Sequence, residues 1–158
     1  MSICSVVDKS WGELTTTELY QILKLRTDVF FVEQRIDEEE LDNRDQEPGT
    51  RHLWTADDTG ITAYLRVIVD DEPAHLDATT LIGRVVTDPA RRGRGLASVL
   101  VARALELCGD RAILLHAQVY IAGMYAKFGF EAFGEEYVEA NLPHISMYRP
   151  GIGAHRVA

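Results

Sequence analysis

Cysteine is scarce in this chain, with two among 158 residues, Cys4 and Cys108. They form no C-x-x-C pair, which excludes a disulfide-stapled scaffold and a thioredoxin-type redox motif. Positive charge is also in deficit, since 16 Lys and Arg face 25 Asp and Glu for a formal net charge of −9. A chain of that sign lacks the basic face that a phosphate backbone demands, so nucleic acid is excluded as a general partner. There is no apolar run of membrane-spanning length, no signal-like segment before the first expected strand, no internal repeat and no low-complexity tract. A reducing cytoplasm is the expected setting, with no membrane partner. The five histidines, His52, His75, His116, His144 and His155, have no tight ligand spacing with cysteines or carboxylates, so no metal is expected.

What is present suits one core. Hydrophobic residues make up 46% and charged residues 26%, an ordinary globular balance. A single domain is expected over 1–150, with 151–158 a flexible tail.

Local patterns give the elements. Ile3 to Val7 alternates as a short strand, and Thr15, Thr16 or Thr17 can cap a helix that continues through Leu19, Ile22, Leu23 and Arg26 to Phe30. An acidic loop follows and breaks at Pro48-Gly49. His52 to Thr55 and Ile61 to Val69 read as paired strands, and Leu81 to Thr87 as the next, closed by Pro89. Leu96, Val99, Leu100, Ala104 and Leu107 share one helical face before Gly109. A buried strand is expected over Ala112 to His116, a helix over Val119 to Phe128, and strands over Glu131 to Tyr137 and Ile145 to Arg149 around a turn at Asn141-Leu142-Pro143. Hairpins first and helix–strand alternation afterwards give an α/β or α+β class with a mixed sheet.

The stretch Val85-Val86-Thr87-Asp88-Pro89-Ala90-Arg91-Arg92-Gly93-Arg94-Gly95-Leu96-Ala97-Ser98 carries the chemistry, because a strand runs through an Arg/Gly turn into a helix start. Gly93 and Gly95 let the backbone take positive φ beside a ligand, Arg92 and Arg94 bring charge, and the first helical amides lack partners. With the positive end of the helix dipole, that is an anion cradle. It is not a P-loop, since Leu96 and not Lys follows Gly95. It departs from the dinucleotide fingerprint G-x-G-x-x-G, because Ser98 stands at the last position.

Arg92-Gly93-Arg94-Gly95-Leu96-Ala97 resembles the coenzyme A pyrophosphate loop of the GNAT superfamily of N-acetyltransferases. Gln118 to Phe130, with Tyr125 followed by Phe128 and then Gly129-Phe130, is similar to the superfamily's later segment. Phe30-Phe31-Val32-Glu33-Gln34, Gly83-Arg84-Val85-Val86 and Pro143-His144-Ile145-Ser146-Met147 narrow the likeness to the ElaA-like branch, over nearly the whole chain.

That resemblance implies a mixed, splayed central sheet flanked by helices, with acetyl-CoA wedged between the fourth and fifth strands. It implies that backbone groups of Val85, Val86 and Thr87 pair with the pantetheine arm, that Arg92 to Ser98 hold the pyrophosphate, and that Gln118 stands where relatives often carry Asn. The Val86 amide would meet the oxyanion. Tyr125 would be the general acid, because a phenol of pKa about 10 keeps its proton near a thiolate of about 8.5. For the base, Glu33, His116 and His144 all stand open.

Charge is segregated along the chain. Arg84, Arg91, Arg92 and Arg94 cluster, whereas Asp37, Glu38, Glu39, Glu40, Asp42, Asp45 and Glu47 crowd one loop with only Arg44 among them. The loop is read either as a solvated run or as an attractor for an amine. The acceptor is expected to be a small-molecule amine or an exposed amino group, and a homodimer is compatible with the superfamily. A non-catalytic coenzyme A-binding module remains the alternative.

Overall fold

In a computed structural model, which describes residues 4–152, ten elements follow one another. They are β1 (Val7–Ser10), α1 (Thr16–Arg26), β2 (Arg51–Asp57), β3 (Gly60–Val69), β4 (Thr80–Thr87), α2 (Leu96–Cys108), β5 (Ile113–Gln118), α3 (Ala122–Ala126), β6 (Glu131–Glu139) and β7 (Leu142–Arg149). The seven strands form one sheet in the order β1-β2-β3-β4-β5-β7-β6, antiparallel everywhere except between β4 and β5. That parallel pair is joined only at Thr80↔Ile113 and Leu81↔Leu114. Beyond Leu81 the two strands part, and the sheet carries a slot.

Each face of the sheet has its own layer. Leu100, Val101, Ala104 and Cys108 of α2 pack with Tyr125 of α3 against Leu53, Ala63, Leu65, Val67, Leu115 and Ala117. On the opposite face Ile22, Leu25 and Val29 pack against Trp54, Tyr64 and Val86. Period-two alternation sends Tyr64 and Leu65 to opposite layers, as the strand geometry requires.

Strand β4 breaks that alternation. Its register slips between Arg66↔Gly83 and Tyr64↔Val86, with Arg84 in the left-handed region at φ +53. The bulge lets Val85 face the α2 layer while Val86 faces α1. A left-handed non-glycine residue costs about 1 kcal/mol, which Arg84 offsets through its carboxylate partners described below.

Helix α1 starts where the threonines indicate. Thr15 Oγ1 accepts the Glu18 N–H at 3.1 Å, and Glu18 Oε1 accepts the Thr15 N–H at 2.9 Å. The expected continuation to Phe30 exists, but with a wider winding: Thr27–Glu33 is a π-helix, and Gln34 N–H reaches five residues back to Val29 O at 2.9 Å. This widening keeps Val29 in the core while Phe30 and Gln34 turn toward the slot.

Four expectations are corrected. The first strand is Val7–Ser10, its register set by a four-pair ladder from Val7↔Trp54 to Ser10↔Arg51 and by the Asp8–Arg51 ion pair at 2.9 Å, and Ile3 lies outside the described residues. The helix expected over Val119 to Phe128 is a 3-10 turn at Val119–Ile121 followed by five α-helical residues. The last turn is Ala140-Asn141, both left-handed at φ +52 and +64, so Leu142 and Pro143 belong to β7. The tail does not loosen at Gly151: that residue is buried, and the Ile152 N–H donates to Asp110 O at 3.1 Å. Residues 153–158 of the expected tail lie outside the described residues.

Candidate active site

The slot between β4 and β5 opens into a cleft of about 560 Å³ that reaches both faces of the sheet. On the α2 side its wall holds Gly93, Gly95, Leu96, Ala97 and Ser98, and on the α1 side Phe30, Gln34, Glu38, Glu39, His116 and His144. Val85, Val86 and Thr87 form the β4 lip, Gln118 the β5 lip.

The Arg/Gly turn is built as an open helix start. Gly93 and Gly95 are left-handed at φ +82 and +75, conformations that strain any residue with a Cβ. Gly95 occupies the N-cap of α2, where no side chain caps the helix, and the first amide to find an acceptor is that of Val99, on Gly95 O at 3.1 Å. The amides of Leu96, Ala97 and Ser98 therefore remain for a ligand, at the positive end of a 13-residue helix. These features fit a pyrophosphate.

The arginines divide by task. Arg91 braces the turn: its guanidinium bonds Asp57 Oδ2 at 2.8 Å, Thr59 Oγ1 at 2.8 Å and Asp88 Oδ2 at 3.0 Å. Two Thr59 hydrogen bonds, with Arg91 adding, bring Asp57 down to about 2. Arg92 lines the cleft and meets Glu33 at 2.8 and 2.5 Å, with 45% and 40% of the two side chains exposed. Arg94 is exposed, is not part of the cleft wall, and makes no ion pair among the described residues. Glu33 is not part of that wall either, and the Arg92 hydrogen bond holds its carboxyl below the usual range.

Three groups suited to proton transfer do face the cleft. Tyr125 is 4% exposed and sits edge-on to Phe130. Burial pushes its phenol well above the ordinary value, with Tyr120 contributing. His144 is 8% exposed and lies between Gln118 of β5 and Tyr137 of β6. Its Nδ1 is 2.8 Å from Leu142 O. A carbonyl only accepts, so Nδ1 carries a proton and, in the neutral ring, Nε2 is the nitrogen with the free lone pair. His116 Nδ1 lies 3.1 Å from Ser146 Oγ, and desolvation, with His144 adding to it against Glu139, lowers its pKa.

Strand parity separates these groups. Tyr125 belongs to the α2 layer, as do Leu115, Ala117 and Met147, whereas His116 and His144 project from the alternate positions of β5 and β7. The acid candidate and the base candidates thus stand on opposite sides of the slot.

The acidic loop is not a solvated run throughout: Asp37, Glu38 and Glu39 are exposed, whereas Glu40, Asp42 and Asp45 are held by arginines. Arg26, Arg66 and Arg84 pin it to the sheet. Arg26 reaches Glu40 at 2.5 Å and Asp45 at 2.8 Å, Arg66 reaches Asp42 at 2.5 Å and Asp45 at 3.1 Å, and Arg84 Nε lies 2.9 Å from Glu40. His52 Nε2 bonds Asp45 O at 3.0 Å, and its Nδ1 meets Tyr64 Oη at 2.7 Å. Sequence reasoning missed this use of the arginines because their partners are 14 to 44 residues away. It also passed over Gln34, whose Oε1 accepts from Gln118 Nε2 at 3.1 Å across the slot, and over Glu139 on the cleft wall.

A family profile described as an acetyltransferase (GNAT) domain matches residues 18–149. The chain belongs to that family, whose chemistry is acyl transfer, and its mixed sheet with flanking helices is the GNAT fold. Within the family it stands in the ElaA-like branch. It is 34% identical over 153 residues to protein ElaA of Escherichia coli, covering 93% of this chain and 97% of that one. The crystal structure of E. coli ElaA superposes with a TM-score of 0.85 at 32% identity, over 93% of this chain and 99% of that one. An acyl-CoA N-acyltransferase from Pseudomonas aeruginosa gives a TM-score of 0.83 at 38% identity, over the same 93% and 99%. A UPF0039 protein of Mycobacterium tuberculosis is 39% identical over 142 residues, 89% of this chain and 90% of that protein. No helix among the described residues is long and apolar enough to cross a membrane.

Proposed function

We propose that the protein moves an acetyl group from acetyl-CoA to a primary amine by direct attack across the slot, in a cytoplasmic setting that suits its unpaired cysteines. The observation that carries this reading is the two-sided cleft. An uncapped helix start and glycine turn lie on the α2 side, and histidines with an available acceptor nitrogen lie on the other.

The pyrophosphate takes the amides of Leu96, Ala97 and Ser98 with Arg92 beside it, and the pantetheine arm follows Val85, Val86 and Thr87 to the slot. When bound, the thioester supplies the activated acyl carbon. His144 Nε2 accepts the ammonium proton, directly or through one water, leaving a neutral nitrogen. The N–C bond forms, the Val86 amide meets the oxyanion, the C–S bond breaks toward Tyr125, and the second proton shed by the new amide nitrogen passes through water to the departing sulfur. A phenol this far up in pKa is a weak acid against a thiol of about 8.5, so Tyr125 acts by hydrogen-bonding the developing thiolate while the proton it receives is settled with solvent. Glu33, occupied by Arg92 away from the cleft wall, is set aside as base.

Calorimetric titration of acetyl-CoA, followed by thiol release with a panel of primary amines, tests the reading. Micromolar binding with amine-dependent thiol release is expected. Binding without release for any amine would favour a non-catalytic coenzyme A-binding module, and no binding by the folded protein would overturn both.

A further inference from the structure

Four carboxylates line the cleft, Glu38, Glu39, Glu40 and Glu139, and only Glu40 meets a cation among the described residues. The cations on the same wall are all committed: Arg66 to Asp42 and Asp45, Arg84 to Glu40 and Asp42, Arg91 to Asp57 and Asp88, Arg92 to Glu33. Glu38 Oε1 accepts the Ala140 N–H at 3.2 Å, which brings the acidic loop against the residue that follows Glu139. Glu38, Glu39 and Glu139, exposed and without a cationic partner among the described residues, thus make one end of the cleft negative and favourable to a cation from outside.

A second observation points to a ligand in the same cleft. Tyr125, 96% covered, has no hydrogen-bond partner for its hydroxyl among the described residues, and His144 Nε2 has none either. Neither atom is sealed in the interior, so both open onto the cleft they line. His144 Nε2 marks the reacting nitrogen, Tyr125 Oη the departing sulfur on the other side of the slot, and the carboxylates a second positive centre on the His144 side. Phe30 and Ile36 on the same wall offer apolar surface for a hydrocarbon stem. No three His, Cys, Asp or Glu among the described residues converge as metal ligands would, and carboxylates at one end of an apolar-walled cleft suit an ammonium group.

We propose that the acceptor is an aliphatic diamine or polyamine, one amine reacting beside His144 and a second ammonium held by Glu38, Glu39 and Glu139. This rests on the acyl-transfer reading above and names its substrate class.

Three probes of matched length separate the terms: n-hexylamine, 1,6-diaminohexane and 6-aminohexanoate, which end in a methyl group, a cation and an anion. With acetyl-CoA saturating, kcat/KM is expected to be at least about tenfold higher for the diamine than for the monoamine, and lowest for the amino acid. The advantage should narrow with added salt. Glu139→Gln and Glu38→Gln should each lower the diamine-to-monoamine ratio, while the salt series on the unaltered protein decides the matter should either variant fail to fold. Equal values for diamine and monoamine, or a preference for 6-aminohexanoate, would overturn the inference and leave acyl transfer standing. Calorimetry of the diamine and monoamine into the coenzyme A-saturated protein reads the same charge preference without turnover. Thiol release from none of the probes despite selective diamine binding would count against the acyl-transfer reading alone, and equal or absent binding of both would overturn the charge preference.

Discussion

Arg26 holds Asp45 by two hydrogen bonds, at 2.8 and 3.3 Å, with none of the arginine exposed to solvent. Arg66 approaches the same carboxylate at 3.1 Å. Two guanidinium groups on one buried carboxylate make that residue the clasp of the acidic loop. Removing one partner of such a group strands the other charges out of water. Asp45→Asn is therefore expected to cost about 3–5 kcal/mol of stability in urea unfolding. Glu47→Gln, which touches a surface ion pair with Arg44, should leave the midpoint nearly unmoved.

Acid should loosen the same clasp. Burial opposes ionisation of Asp42 and Asp45, but arginine hydrogen bonds and charge outweigh it and hold both carboxyls below the ordinary range. A depressed folded-state pKa gives stability that is full above the unfolded value, about 3.9, and is lost as pH falls through the folded one. Melting temperature should be flat with respect to these groups above about pH 5 and fall below about pH 4. In Asp42→Asn that acid-side slope should be shallower, which a melting series from pH 2 to 6 reads out.

The two arginines of the glycine turn should not contribute equally to cofactor affinity. Arg92 faces the cleft and Arg94 does not. A charge-assisted hydrogen bond is worth about 1.5–3 kcal/mol, so Arg92→Ala should weaken acetyl-CoA binding by about tenfold or more, and Arg94→Ala by about threefold or less. Calorimetry of the two single variants separates them. The reverse order would relocate the pyrophosphate.

Replacing Tyr125 by Phe should lower kcat by about tenfold to ten-thousandfold while hardly moving the KM for acetyl-CoA. Because the phenol is assigned to the departing thiolate, donors with more acidic thiols should be less affected. An equal loss across such donors would remove Tyr125 from the leaving-group side.

Gly151 is tied by space. A Cβ there would stand 2.6 Å from Asp110 O and 3.1 Å from Ala112 N, both backbone atoms. Gly151→Ala is expected to destabilise by about 1–3 kcal/mol, visible as a fall of several degrees in melting temperature.

The sequence made legible what depends on near neighbours. The threonine cap of α1, the periodic face of α2, and the Gly93 and Gly95 turn are local signals, and the structure puts all three where those signals fall. Distant pairing was not legible. Nothing near Arg84 in the chain announces a left-handed residue, because the carboxylates that stabilise it come from an acidic loop more than forty positions earlier. Likewise the sides of the slot on which Tyr125 and His144 stand follow from strand register and from the β4 bulge, and register is a tertiary property. Turn and strand limits at Ala140-Asn141 were missed because Pro143 looks like a turn residue. In β7 it stands beyond the end of β5, which pairs only as far as Gln118↔His144, so its missing N–H costs no bond on that side.

The slot through the sheet has a kinetic consequence. A pocket with one mouth forces two reactants into a queue, whereas a passage open on both faces lets each come and go by its own door. Spent coenzyme A left on the α2 side would then compete with fresh donor yet leave the acceptor's approach unobstructed. Double-reciprocal plots should intersect, with coenzyme A competitive against acetyl-CoA and noncompetitive against the amine.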